Sequence, residues 1–218
     1  MVQIIPSILA TTEGEYAQLI KAVNNDEALV DSWVHIDMMD GVDVNNVSVS
    51  AVVIKKFPVN LELEGHLMVV KPTDWVRQLS GFGFKRFITP IEISQSELDQ
   101  FIEMCKLNNH QVGLSLNPET PVENIREWLD KIDEVLIMSI HPGFGGQEFI
   151  PESIEKVKKL RSMAPRMLIG VDGGVTIELV KPLVDAGASN LVVGAKRLIE
   201  EGIDETLEKI WETIQPSG

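Results

Sequence analysis

Short apolar stretches recur along the chain, each followed by a turn and then by a longer stretch with helical spacing. The strands this pattern predicts lie at residues 3–9, 33–38, 61–67, 86–89, 111–116, 134–139, 167–171 and 190–194. Val135-Leu136-Ile137-Met138 and Leu191-Val192-Val193 are unbroken apolar runs, which suits strands buried on both faces of a parallel sheet. Helical patterns fall between them at 13–23, 73–79, 97–108, 151–161 and 177–186. Pro151 before Glu152 reads as a first helical turn, and Gly187 after Ala186 as a helix end. Eight strands alternating with roughly eight helices predict an α/β chain folded as a (β/α)8 TIM barrel, near the lower edge of its usual range of about 200 to 400 residues. The rival is a doubly wound open sheet. That fold normally carries a Gly-rich turn after its first strand, where this chain has Ala10-Thr11-Thr12. No linker or low-complexity segment interrupts the pattern, so residues 1–218 read as one domain.

Composition narrows the partners. The hydrophobic share is 44%, which suits a packed core and not a disordered chain. Against 19 Lys and Arg stand 33 Asp and Glu, a net charge of −14. Such a balance speaks against broad binding to nucleic acid or an anionic membrane. It leaves room for a small anionic substrate, because backbone amides can hold a phosphate without side-chain charge. The single Cys105 excludes an internal disulfide framework. With no apolar run of spanning length and no basic region ahead of an apolar stretch at the N-terminus, a cytoplasmic location is expected.

A barrel places its chemistry at the C-terminal ends of its strands, and the reactive residues fall there. His35 and Asp37 are two apart near the end of the second strand, so they face the same side. His66 closes the third strand and Asp172 the seventh. Singly, a His near a strand end is more often a hydrogen-bonded structural residue, and an Asp before Gly more often a turn residue. Together, two His and two Asp make an N/O site for a divalent metal such as zinc, iron, manganese or cobalt. Loops after strands six, seven and eight carry Gly143-Phe144-Gly145-Gly146, Gly173-Gly174 and Gly194-Ala195. Each alone could be a tight turn, but three consecutive loops of this kind suit a phosphate, which barrels often bind after strands seven and eight. Lys196 and Arg197 could add charge there or simply face solvent. Met39, Met68 and Met138 sit at strand ends beside these residues, where core filling is the simpler role. Cys105 reads as a buried helix residue, and His110, in a polar loop, as solvated.

These residues resemble a known family, ribulose-phosphate 3-epimerase, almost end to end. Pro6-Ser7-Ile8-Leu9 is similar to its opening P-S-I-L strand, and residues 35–41 fit H-x-D-x-M-D-G. His66-Leu67-Met68-Val69 fits H-L-M-V, and Asn117-Pro118 with Thr120 fits N-P-x-T. Residues 138–147 fit M-[ST]-x-x-P-G-F-G-G-Q, and residues 171–174 fit V-D-G-G. The resemblance implies that His35, Asp37, His66 and Asp172 hold one divalent metal ion per subunit, with zinc expected ahead of iron, manganese or cobalt. Asp37 and Asp172 would also form the acid/base pair, on opposite faces of the substrate carbon. Ser7 and His66 would touch the sugar, and Met39, Met68 and Met138 would pack around its reacting part. Gly143, Phe144, Gly145, Gly146, Gly173, Gly174, Gly194 and Ala195 would surround the phosphate.

The implied reaction interconverts D-ribulose 5-phosphate and D-xylulose 5-phosphate through an enediolate, in the pentose phosphate pathway, and the implied assembly is a homo-oligomer. Three departures stand out. Val42-Asp43-Val44-Asn45-Asn46 replaces the usual x-F-V-P-N, Pro90-Ile91-Glu92 replaces a His two before a Glu, and Gly194-Ala195 replaces Gly-Ser. None touches the four metal positions; they bear on substrate preference and rate. The alternatives are an epimerase of a ketohexose 6-phosphate such as allulose 6-phosphate, whose relatives tend to lose the Gly-Phe-Gly-Gly-Gln loop, and a non-catalytic phosphosugar-binding barrel.

Overall fold

Alternating inward and outward side chains on eight short strands require a surface with two buried faces, and a closed barrel wrapped in helices supplies it. The computed structural model describes residues 2–214; Met1 and residues 215–218, which the expected domain span includes, lie outside the described residues. Strands β1 (Gln3–Ile8), β2 (Trp33–Met39), β3 (Glu62–Met68), β4 (Phe84–Pro90), β5 (Gln111–Leu116), β6 (Glu134–Met138), β7 (Leu168–Asp172) and β8 (Asn190–Gly194) form one closed barrel in chain order. Every pairing is parallel, and β1 closes on β8 from Gln3 opposite Asn190 to Ser7 opposite Gly194. The fold is the (β/α)8 barrel expected, and the open-sheet rival is excluded.

The outer layer is less regular than the sequence pattern suggests. Its helices are α1 (Glu13–Asn24), α2 (Ala51–Ile54), α3 (Pro72–Leu79), α4 (Gln95–Leu107), α5 (Glu152–Met163), α6 (Ile177–Ala186), α7 (Ala195–Glu201) and α8 (Ile203–Ile214). After β2 the helix is a single turn, and after β5 its place is taken by a 3-10 stretch, Val122–Trp128. Thr12 starts α1 by accepting from the Glu15 amide at 3.2 Å, and Ser94 caps α4 in the same way at 3.3 Å. Gly187 ends α6 at φ 108°, a left-handed conformation that favours glycine.

Strand β4 runs two residues further toward the N-terminus and one further toward the C-terminus than expected. Pro90 is tolerated because Ile91 carries the next bond, donating to Ser115 O at 3.0 Å, while the β3–β4 pairing already ends at Ile88.

Two apolar layers result. Outward side chains such as Ile36, Met38, Leu67, Phe87 and Val171 pack beneath the helices. Inside the barrel a smaller cluster joins Ile5, Ile88, Leu136, Met138 and Val192, with Trp33 against it. Gly113 makes room for Ile88: a Cβ there would sit 2.7 Å from Ile88 Cγ1.

Candidate functional site

The β2–β3 register sets the centre. Asp37 stands opposite His66, and His35 opposite Glu64. On the far wall, Met138 of β6 pairs with Asp172 of β7. Suitable donor atoms of His35, Asp37, His66 and Asp172 all fall within 4.8 Å of one another, and all four residues are buried. His35 Nε2 lies 3.3 Å from Asp37 Oδ1 and 3.9 Å from Asp172 Oδ2. For His66 Nδ1 the corresponding distances are 3.4 and 3.8 Å.

Neither of these ring nitrogens has a hydrogen-bond partner, although both are buried. Buried polar atoms are rarely left so. Four ligands about 2.1 Å from one ion in a tetrahedron stand about 3.4 Å apart, close to the separations here. This donor set can hold a divalent cation.

The opposite edges of the two rings are anchored. His66 Nε2 meets Ser115 Oγ at 3.2 Å, and His35 Nδ1 meets Glu64 Oε1 at 2.7 Å. Glu64 in turn binds Arg86, whose Nε donates to Glu64 Oε2 at 2.9 Å and lies 2.7 Å from Glu134 Oε2. Asn190 Nδ2 donates to Glu134 Oε1 at 2.6 Å. This charged floor is absent from the sequence reading. Its signal was present in the spacing, since Glu64 is two before His66 and must face the same way.

Charge is distributed unevenly between the two aspartates. Burial alone would raise Asp37, but the charges of His35 and His66 outweigh it and hold the carboxyl well below its usual range. Asp172 is pushed up to about 6, first by burial and then by the nearby Asp37 carboxylate. Glu134 is pushed up to about 7 by burial, which Arg86 only partly offsets. For His35, burial opposes the charge, yet Asp37 and Glu64 raise it well above the ordinary imidazole value.

A pH dependence follows for the metal-free chain. Between ordinary carboxylate values and these raised ones, the folded state holds protons that the unfolded state releases. Stability therefore falls as pH rises from about 4.5 to 7, by about 1.4 kcal/mol per pH unit for each such proton. The raised His35 extends the loss above 6.5, while His110, lowered by burial, works the other way. Urea midpoints measured in chelator across this range should fall; a steady rise would contradict the protonation pattern.

Above the four residues opens a cavity of about 860 Å³. Asp37 and Asp172 reach its wall, along with Ser7, Met39, Met68 and Met138. His35 and His66, with no exposed surface, form the layer beneath. Gly143, Phe144, Gly145, Gly146, Gly173, Gly174, Gly194 and Ala195 all line the same cavity, so the structure gathers every residue singled out for the site.

Other lining residues entered only as parts of motifs and were given no role. Asn46 lines the cavity and donates through Nδ2 to Gly143 O at 2.7 Å, tying the loop after β2 to the Gly-rich loop. Gln147 Nε2 braces that loop by donating to His141 O and Phe144 O, both at 2.7 Å.

Lys196 is exposed on the cavity rim, whereas Arg197 is half-buried, with Nε donating to Glu201 at 2.8 Å. Asp43 and Asn45 are exposed, Pro90 and Ala195 are buried, and Glu92 accepts from the Asn117 amide at 3.0 Å and from the Thr120 hydroxyl. His110 is half-buried, so only partly solvated: its ring stands edge-on to Phe87 at 5.0 Å, with Nε2 3.3 Å from Ser80 Oγ. Cys105 is buried, and burial pushes its thiol up, as befits an inert helix residue.

Fold and site together define a class: a parallel (β/α)8 barrel with a buried two-histidine, two-aspartate cluster under a glycine-walled cavity. Among solved structures, a mutant tryptophan synthase alpha-subunit from Pyrococcus furiosus shares the fold at a TM-score of 0.67, with 18% identity and 97% of both chains covered. Tryptophan synthase from Mycobacterium tuberculosis does so at 0.66, with 14% identity over 99% of this chain and 93% of that one.

Sequence comparison is more specific. The ribulose-phosphate 3 epimerase family profile matches residues 3–197. The ribulose-phosphate 3-epimerase of Schizosaccharomyces pombe is 33% identical over 217 residues, covering 97% of this chain and 93% of the relative. The cytoplasmic isoform from Oryza sativa subsp. japonica is 35% identical over 88% of this chain and 86% of its own, and the Bacillus subtilis enzyme 34% over 89% and 91%. The chain belongs to the ribulose-phosphate 3-epimerase family and is an isomerase.

Proposed function

We propose that this protein is a metal-dependent epimerase interconverting D-ribulose 5-phosphate and D-xylulose 5-phosphate. The observation that carries the reading is the pair of carboxylates, Asp37 and Asp172, reaching the cavity wall above two buried, unpartnered histidine nitrogens. Inverting a carbon beside a ketone requires removing its proton and returning one to the opposite face, and one base cannot serve both faces. Asp37 and Asp172 come from β2 and β7, on separate walls of the barrel, which suits that division.

One carboxylate takes the C3 proton while the C3–H electron pair moves into the C2–C3 bond and charge develops on the ketone oxygen. The other carboxyl delivers a proton to C3 from the far face, and the electrons return to the carbonyl. Held by His35, Asp37, His66 and Asp172, a divalent ion would supply Lewis-acid stabilisation of the developing charge, worth several kcal/mol; zinc is our choice, with iron, manganese or cobalt as substitutes. Ser7, on the cavity wall, meets the sugar directly, whereas His66, buried beneath that wall, would act on it only through the ion; Met39, Met68 and Met138 keep water from its reacting end. Amides of the three glycine loops, with Phe144 and Ala195 beside them, receive the phosphate. We also read residues 1–218 as one barrel domain, cytoplasmic like the rice relative's name, and assembled as a homo-oligomer; no helix among the described residues is long and apolar enough to cross a membrane.

Proton NMR in heavy water tests the reaction. Metal-loaded protein given ribulose 5-phosphate should incorporate deuterium at C3 as xylulose 5-phosphate appears. With metal confirmed bound, absence of exchange would overturn the pentose reading; exchange on allulose 6-phosphate would then identify a hexose enzyme, and none on either sugar a binding-only barrel.

A further inference from the structure

Beneath the metal-site residues, three charged side chains occupy the barrel interior where apolar residues would pack without cost. Glu64 and Arg86 are each 1% exposed, as is Glu134. The guanidinium is held on several sides at once. Both Nε and one terminal nitrogen contact Glu64 Oε2, the other terminal nitrogen donates to Gln111 Oε1 at 3.3 Å, and Glu134 Oε2 is 2.7 Å from Nε. The Trp33 ring lies 4.4 Å from the guanidinium carbon. So constrained, Arg86 has little freedom, and it transmits that order to Glu64 through a forked contact that a lysine cannot reproduce.

Glu64 has two oxygens with two tasks. Oε2 takes the fork from Arg86, which leaves Oε1 aimed at His35 Nδ1, 2.7 Å away. A carboxylate has no hydrogen to give, so Nδ1 donates, and the lone pair of a neutral imidazole is then on Nε2. That is the nitrogen directed at Asp37 and Asp172. We propose that Arg86 is a positioning residue for the metal centre, anchoring Glu64 so that Glu64 holds the His35 ring with Nε2 toward the ion. The proposal rests on the metal reading above and assigns Arg86 no contact with substrate.

Glu134 supplies the contrast. It is the second carboxylate on the same guanidinium, but its other oxygen goes to Asn190 and not to a metal-site residue. If Arg86 served only to fill and neutralise the floor, its two carboxylate arms would be equivalent for metal binding. If it acts through Glu64, only that arm matters.

Cobalt(II) affinity, measured by chelator competition on protein shown to be folded by circular dichroism, distinguishes these cases. Loss of a partner behind a ligating histidine typically weakens metal binding about 10- to 100-fold, and Arg86→Met should show a loss of that order. Arg86→Lys, with charge but no fork, should recover part of it, and Glu134→Gln should stay within about threefold of wild type. Should Arg86→Met fail to fold, Arg86→Met/Glu134→Leu removes a charge pair as a unit, a change cores often accept, and carries the same expectation. A folded variant lacking Arg86 that binds cobalt within threefold of wild type overturns the proposal, whatever it does to stability, and so does a Glu134→Gln loss as large as that of Arg86→Met. A wild-type chain that takes up no cobalt overturns the metal reading itself, and this proposal with it.

Discussion

Asp172→Asn is expected to lower epimerisation by at least about a thousandfold while the barrel remains folded. The change keeps the size of the side chain but removes its ability to take and return a proton, and general acid–base groups contribute about 10²- to 10⁴-fold. Asp172 is also one of the four clustered donors, so weaker metal binding adds to the loss. The fold should survive because Asp172 anchors its neighbours through its backbone: its carbonyl accepts from the Ser139 amide at 2.8 Å and from the Ser139 hydroxyl at 2.9 Å. Removing a carboxyl group pushed up to about 6 also relieves a buried charge near Asp37. Steady-state turnover, C3 deuterium exchange and metal content measured on one preparation separate the two contributions. Near-normal turnover would refute the acid/base assignment.

Gly173→Ala carries the second large effect, and it acts through the backbone. Gly173 sits at φ +111°, outside the range that side-chain-bearing residues adopt easily, and an added Cβ would lie 2.3 Å from Ile140 Cγ1. Its carbonyl is also fixed, accepting from Ser139 Oγ at 2.6 Å. Strain at such a position costs about 1–3 kcal/mol, and forced overpacking a similar amount. The expected destabilisation is therefore about 2–6 kcal/mol, with a higher KM for the phosphosugar because the loop at the proposed phosphate site must move. Gly145→Ala is the matched control. It lies on the same cavity wall without a positive φ, and its Cβ would meet nothing within 4 Å. Its stability should stay within about 0.5 kcal/mol of wild type. Equal urea midpoints for the two variants would contradict the steric argument.

Much of this site was legible because a strand's side chains alternate strictly. His35 and Asp37 had to share a face, and the apolar residues between and around them had to take the other. The glycine loops were legible too, since their spacing follows the strand repeat. Less could be read where a residue's environment depends on elements distant in sequence. Nothing in the fourth strand's own pattern marks Arg86 as buried, and only barrel closure encloses it with Glu64 and Glu134. His110 stands among polar neighbours, yet Phe87 from the preceding strand packs against its ring and half-buries it. The outer layer was legible only in part for a related reason. Packing against the sheet decides how much helix each connection keeps, so one turn suffices after β2 and a 3-10 stretch after β5.

By itself the sequence determined the strand–helix repeat, the inward-facing set on each strand and the kinds of chemistry available to it. These are local properties, set by backbone geometry and side-chain type. Tertiary structure decided which inward residues meet. The β2–β3 register placed Glu64 behind His35, and closure of β1 on β8 brought Asp172 within reach of Asp37 and both histidines. Such distances depend on strand number, register and closure acting together, and no single segment encodes them.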